Sequence, residues 1–228
     1  MKVSALIPVK GFRNAKQRLS PLLDAAEREL LAEAMFRDVL AEVMQARGLE
    51  AAFVVTGNDR VAEIATALGA AVIREPAETG ETGAVDFARL ELERAGHGAV
   101  LILPGDMPLL RAADIEQLLA QVPAGATAPF ALLVPSHDRL GTNALLLAPP
   151  GVIKLRFGYD SFSYHMGQVS ACGLPLRFFE NEAMALDIDE PKDLRRFLAS
   201  GRADGEAYRL ASRLLAQAED RTRRAGGA

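Results

Sequence analysis

The sequence predicts an α/β protein built on parallel strands. Short, compact apolar runs alternate with segments of helical periodicity through the first half of the chain. Those runs lack polar alternation, which suits strands buried on both faces beneath right-handed crossover helices. The scale fits as well: 228 residues is long for one average domain and short for two, so one large domain with additions is expected. Area scaling gives such a chain a folded surface of roughly 10,000 Å² against roughly 35,000 Å² unfolded, enough for a core without disulfides or structural metal.

The elements follow in order. Val3 to Val9 reads as the first strand, with Pro8 near its end and Lys10 just beyond. Gly11 to Pro21 is basic and rich in small residues, so it reads as a loop. Asp24 to Arg47 predicts a helix, because Leu30, Leu31, Met35, Val39, Leu40 and Val43 recur at helical spacing and Gly48 supplies a stop. Ala51 to Thr56 is a strand, Asp59 to Leu68 a short helix closed by Gly69, and Ala70 to Ile73 a further strand. Arg74 to Thr82, with Pro76 and Gly80, reads as a loop, and Gly83 to Ala95 as a helix. Val100 to Leu103 is a strand running into Pro104-Gly105-Asp106-Met107-Pro108, and Ala112 to Gln121 is helical. Strands recur at Ala131 to Val134 and Ala144 to Leu147.

The second half is less regular. A short helix, a loop and another helix are expected between Pro149 and Gly173, then strands at Leu174 to Phe179 and Ala185 to Ile188. Glu190 to Ala199 predicts a helix, and Ser200-Gly201 a break. Ala203 to Arg224 is a polar helix with Tyr208, Leu210, Leu214 and Leu215 on one face. The break divides the chain into a domain at 1–200 and a C-terminal helical extension at 201–228. The apolar face of the extension makes a homodimer contact an expectation.

The charge balance limits the partners. Lys and Arg number 26 and Asp and Glu 30, a formal net charge of −4. Surfaces for nucleic acid or anionic membrane favour a basic face, so neither partner is expected. A small anionic ligand in a local pocket stays open. No apolar run reaches the roughly 18 residues of a membrane span. The start MKVSALIPVKGF carries charges on both sides and no cleavage-like site, so a cytoplasmic protein is the default expectation. The single cysteine, Cys172, excludes an internal disulfide and a multi-cysteine zinc site. Its ordinary reading is a small buried hydrophobe, with a catalytic thiol as the alternative. His97, His137 and His165 are too scattered for an obvious metal cluster.

Four stretches carry chemistry. Pro8-Val9-Lys10, with Lys16 and Arg18, places cations at a strand end, where open α/β sheets bind ligands. Gly11, Asn14 and Ala15 would let backbone N–H groups approach phosphate oxygens. The bland alternative is a solvated basic loop, since P-loop spacing is absent. Asp106 leaves an apolar strand at its carboxyl end and suits Mg2+, which takes one or two carboxylates plus phosphate oxygens; a turn or N-cap aspartate is the alternative. In Leu186-Asp187-Ile188-Asp189, a strand would project both aspartates to one face, where like charges need a cation or a proton. The alternative has Asp189 capping the next helix and Asp187 exposed, with Asp193 a first-turn acid. The fourth stretch pairs Arg139-Leu140-Gly141-Thr142-Asn143 with Phe157-Gly158-Tyr159-Asp160-Ser161. Gly141 and Gly158 permit close backbone approach, and Thr142, Asn143 and Ser161 offer polar groups to a ligand. His165 lies one helical turn beyond Ser161, so the two can face the same way, with a structural role favoured for the imidazole.

Together these stretches resemble the 2-phospho-L-lactate guanylyltransferase family of MobA-like nucleotidyltransferases, which serves biosynthesis of coenzyme F-420. The matching pieces are PVKGFRNAKQRL, LPGDMPLL, RLGTNALLL, FGYDSFSYH and LDIDEPKDL, in the family's order from Lys2 to about Phe197. The resemblance implies a Rossmann-like three-layer α/β/α sandwich with a mixed, mostly parallel sheet. It implies transfer of GMP from GTP to the phosphate of 2-phospho-L-lactate, phosphoenolpyruvate or 3-phospho-D-glycerate. By motif position, Pro8, Val9, Lys10, Lys16 and Arg18 would bind the nucleotide, and Asp106, Asp187 and Asp189 would hold Mg2+. Thr142, Asn143, Gly158 and Ser161 would bind the acceptor, while Lys16 and Asp106 stand nearest the chemistry.

The family usually opens the helix after the third strand with Gly-x-Asn-x-Ala. Here the stretch reads Thr82-Gly83-Ala84-Val85-Asp86-Phe87-Ala88 and the asparagine is absent. Two rivals share much of the pattern: a molybdenum-cofactor-type nucleotidyltransferase and a non-catalytic nucleotide-binding module. A nucleotide-sugar glycosyltransferase would carry its Asp-x-Asp after a mid-chain strand rather than near the end.

Overall fold

The computed structural model describes residues 2–77, 79–122, 129–202 and 204–226. Its central sheet contains β1 (Val3–Pro8), β2 (Leu49–Thr56), β3 (Ala71–Arg74), β4 (Ala99–Ile102), β5 (Phe130–Pro135) and β6 (Thr142–Ala148). The strand order is β3-β2-β1-β4-β6-β5. β1 pairs in parallel with β2 and β4, and β2 with β3, whereas β6 runs antiparallel to both β4 and β5. The sheet is therefore mixed and mostly parallel over the half that the apolar runs predicted.

Helices cover both faces, which explains the continuous apolar runs. On one side lie α1 (Ala25–Gln45), α2 (Asp59–Ala67) and α4 (Ala112–Leu119), whose Phe36, Val39, Ile64 and Ile115 pack with Val3, Ala5 and Ile7 of β1. On the other lie α3 (Gly80–Arg94) and α5 (Ser161–Ala171), whose Val85, Ala88 and Phe162 meet Leu6 and Ile102. The folded surface is 10,736 Å², as area scaling expects. α1 begins at a capping box, with the Asp24 carboxylate accepting from the Glu27 N–H and the Glu27 carboxylate accepting from the Asp24 N–H. Leu30 departs from the predicted stripe. It is 56% exposed, because the buried stripe is centred on Leu31, Met35 and Val39 and its neighbour points about 100° away.

A third apolar cluster joins α1 to α6 (Pro191–Ala199) and α7 (Glu206–Gly226) through Leu31, Met35, Leu194, Phe197 and Leu214. The Asp38 carboxylate accepts from the N–H groups of Glu206 and Ala207, so α1 caps the start of α7. The Tyr208 ring meets Phe197 edge-on and its hydroxyl donates to the Leu198 carbonyl. The face of α7 that suggested a dimer contact is thus largely covered within the chain. Ala203, where that helix was expected to begin, lies outside the described residues.

Three expectations for the second half need correcting. Leu174 to Phe179 is not a strand: a single parallel bridge joins Leu133 to Phe178, and the segment is largely exposed, with Leu174 and Phe179 half-buried at its two ends. Ala185 to Ile188 is not a strand either. The short helix expected after Pro149 is a turn. Cys172 is exposed rather than buried, because it follows α5 at a surface turn. No helix among the described residues is long and apolar enough to cross a membrane.

Candidate active site

The cleft opens at the carboxyl ends of β1 and β4, where an open α/β sheet leaves its crevice. One half is lined by Pro8, Val9, Lys10, Gly11, Lys16 and Arg18. The other is lined by Thr142, Asn143, Gly158, Ser161 and Asp187. Asp106, Asp189, Arg18 and Glu81 line both halves. The residues read from four separate stretches therefore converge on one site.

The basic loop is built to turn back on itself. Gly11 has φ +142°, and Asn14 and Lys16 adopt left-handed conformations at φ 60° and 52°. The turn sends the Lys16 side chain inward, where it is 9% exposed. Its Nζ donates to Asp106 Oδ2 at 2.5 Å and to Asp189 Oδ1 at 2.8 Å. Burial works against the Lys16 charge, but Asp106 and then Asp189 outweigh it and raise its pKa above the ordinary lysine range. Lys10 and Arg18 stay exposed at the mouth, with Arg18 4.0 Å from Asp189 and 3.7 Å from Glu190.

Asp106 is no N-cap. One of its oxygens meets Lys16, while Oδ1 is buried with no hydrogen-bond partner. Asp187 and Asp189 reach the same cleft without a strand to hold them. Leu186 and Ile188 are buried while the two aspartates line the cleft, and the Ile188 N–H donates to the Asp106 carbonyl. The in–out alternation expected of the sequence survives although the ladder does not form. Glu190, not Asp189, caps α6, and the Asp193 carboxylate accepts from the Glu190 N–H at 2.8 Å. Burial first, then the Asp106 and Asp189 charges, raise the Asp187 pKa, and a hydrogen bond from Asn143 opposes them. Asn143 Nδ2 donates to Asp187 Oδ1 at 3.1 Å and to the Met184 carbonyl at 3.0 Å, so this amide also holds a carboxylate in place.

Among the described residues, no three or more Asp, Glu, His or Cys side chains converge as a metal cage. Mg2+ does not require one, since phosphate and water oxygens commonly complete its shell. A buried carboxylate oxygen without a partner, beside carboxylates that repel one another, suits a divalent cation.

On the other half, Gly141 packs against Ser136, where a Cβ would come within 3.1 Å of the hydroxyl. Gly158 differs from the expected close approach. A Cβ there would meet nothing, and the constraint is its φ of +103°. Ser161 and His165 do face the same way, since both bond Thr142. Glu81 was not read from the sequence, because α3 starts at Gly80 rather than Gly83. Glu75 accepts from the Thr79 N–H and hydroxyl and builds that early start. Burial in the cleft and the Asp106 charge push the Glu81 carboxyl up to about 7, against the pull of Lys10 and Lys16. Because the residue is open to cleft water, solvent screening trims that push. Thr82, in the stretch lacking the family's asparagine, accepts from the Phe157 N–H at 3.0 Å and ties α3 to the Gly158 loop.

A mixed α/β sheet with cations and carboxylates facing each other across its crevice defines a nucleotidyltransferase-type cleft. The solved structures agree on the fold. A protein from Desulfovibrio desulfuricans G20 described as a nucleotide-diphospho-sugar transferase superposes with a TM-score of 0.76 at 16% identity, covering 96% of this chain and 99% of that one. CMP:2-keto-3-deoxy-manno-octonic acid synthetase complexed with CTP gives 0.61 at 17% identity, covering 88% and 98%. The family model described as "Guanylyl transferase CofC like" matches residues 3–217. The chain belongs to that family. The phosphoenolpyruvate guanylyltransferase of Rubrobacter xylanophilus is 39% identical, over 92% of this chain and 98% of that protein. The 2-phospho-L-lactate guanylyltransferase of Methanothermobacter thermautotrophicus is 34% identical over 88% and 86%. The 3-phospho-D-glycerate guanylyltransferase of Phenylobacterium zucineum is 35% identical over 83% and 86%.

Proposed function

We propose that the chain transfers GMP from GTP to the phosphate of a small phosphorylated carboxylic acid, with release of pyrophosphate, in coenzyme F-420 assembly. One observation carries the reading most directly. The basic-loop half and the hydroxyl-lined half of the cleft meet at Asp106 and Asp189, where two anionic substrates would have to meet. Relatives named for three different acids lie at 34–39% identity, so identity alone does not select the acceptor.

The acceptor is already an anionic phosphate, so no proton need be removed before attack. An acceptor oxygen bonds to the α-phosphorus of GTP, and the bond from that phosphorus to the oxygen bridging to the β-phosphate breaks. The obstacle is charge. Lys10 and Arg18 at the mouth, and Lys16 within, neutralise the triphosphate and the developing pyrophosphate. Thr142, Asn143, Gly158 and Ser161 orient the phospho-acid from the other side. Asp106, Asp187 and Asp189 would hold Mg2+, which when bound supplies Lewis-acid neutralisation between the two substrates.

The test is a matrix of the purified protein with Mg2+, each of four nucleoside triphosphates and each of the three acids, read as pyrophosphate release. Release is expected with GTP and at least one acid, and its absence for all three refutes the reading. Asp187→Ala should lower GMP transfer by roughly 100-fold or more. Transfer at the wild-type rate would refute the metal assignment.

A further inference from the structure

His165 is entirely buried beneath the acceptor half of the cleft, and its hydrogen bonds determine which way its proton points. The backbone N–H of Arg156 donates to Nε2 at 3.2 Å. A backbone N–H can only donate, so Nε2 must present its lone pair. Nδ1 lies 2.9 Å from Thr142 Oγ1. Burial, then the Arg156 and Arg89 charges, hold the imidazole pKa down to about 4, so the ring is neutral near pH 7. A neutral ring has one N–H, and it is left to Nδ1. Nδ1 therefore donates and Thr142 Oγ1 accepts. The rings of Phe157 and Tyr164 pack edge-on against the imidazole, at 5.5 and 5.8 Å between centroids, and fix its plane.

This has a consequence for the cleft wall. With its oxygen accepting from His165, the Thr142 hydroxyl has its own hydrogen to give elsewhere. Ser161 is held in the same sense, since its Oγ accepts from the Thr142 N–H at 3.0 Å. Both residues line the acceptor half. Phosphate and carboxylate oxygens only accept, so they need donors. We propose that His165 is a positioning residue: its Nδ1–H fixes the polarity of the Thr142 hydroxyl, so that Thr142 and Ser161 present hydrogens to an anionic oxygen of the phospho-acid. The inference rests on the acceptor reading given above.

Two measurements test it separately from that reading. Nitrogen-15 imidazole spectra near neutral pH, with His165 assigned by its loss in His165→Asn, should show Nδ1 protonated and Nε2 bare. The opposite tautomer, or a doubly protonated ring, overturns the proposal whatever the enzyme does. In kinetics, His165→Leu should raise KM for the phospho-acid roughly tenfold, the scale of a lost hydrogen bond to a charged group, and leave KM for GTP unchanged. His165→Asn, whose amide can donate from the Nδ1 position, should recover most of the loss. Thr142→Val should match His165→Leu, and the double variant should be no worse than either. An unchanged acceptor KM in folded His165→Leu, or fully additive losses, overturns the proposal. If the wild type releases no pyrophosphate with any acid, the function reading fails. Calorimetric affinities of the same acids for the same variants then replace KM, and no difference, or no binding to the wild type, overturns the positioning role.

Discussion

Lys16→Met removes the ammonium from between Asp106 and Asp189 while keeping a stem of similar length. At 2.5 and 2.8 Å, each attraction is worth about 6 kcal/mol at an effective dielectric of 20, and desolvation of the ions cancels much of it. Breaking a buried ion pair by removing one partner typically costs about 3–5 kcal/mol. Here Asp106 and Asp189 retain 29% and 46% side-chain exposure, so water recovers part of the loss and about 2 kcal/mol is expected. For a chain of this size that lowers Tm by about 4–8 °C. The pH dependence has a definite sign. Lys16 has a raised pKa, so its contribution is complete below the ordinary lysine value of 10.5 and is lost only as pH climbs through the raised one. Activity should fall further than stability, by roughly 100- to 1,000-fold in kcat, because in the proposed reaction the lost charge would face the transferring phosphoryl group. Scanning calorimetry and pyrophosphate release read the two effects. A Tm within about 1 °C of wild type, together with a kcat loss below about tenfold, would refute the argument.

Other substitutions probe separate links. Glu81→Gln should remove a limb near pH 7 from the kcat/KM profile. Without divalent cation, wild-type stability should fall relative to this variant as pH rises from 4.5 to about 7, because the raised carboxyl binds its proton more tightly in the folded state; parallel curves would contradict it. Gly158→Ala should cost about 1–2 kcal/mol through its φ of +103° alone, since no atom crowds the new Cβ. It should also raise acceptor KM, and unaltered denaturation and KM would exclude the strain. Leu214→Ala should cost about 2–5 kcal/mol in urea unfolding by opening a cavity under α7. A loss below about 0.5 kcal/mol would mean that α7 is not part of the cooperative core.

Legibility in the sequence followed the range of the interactions. β1 and β4 are written as unbroken apolar runs, because a strand covered by helices on both sides needs no polar face. Asp106 was recognisable because it directly follows such a run. Leu174 to Phe179 has the composition of a strand, yet its pairing depends on what lies beside it in space, and among the described residues it forms a single bridge, to Leu133. Glu81 was invisible because the Glu75–Thr79 contact moves the start of α3 by one turn and puts this carboxylate between both halves of the cleft.

By itself, then, the sequence determined the α/β alternation, most of the helices and most of the chemical inventory of the cleft, since periodicity and residue type are local properties. Tertiary structure decided how that inventory is wired. It placed Lys16 between two aspartates some 90 and 173 positions away, gave Asn143 a carboxylate to hold, and folded the dimer-like face of α7 onto α1. It also left His165 a single place for its proton. Each of these depends on long-range packing that brings distant groups within hydrogen-bond reach, and on the burial that makes an unpartnered charge or proton costly.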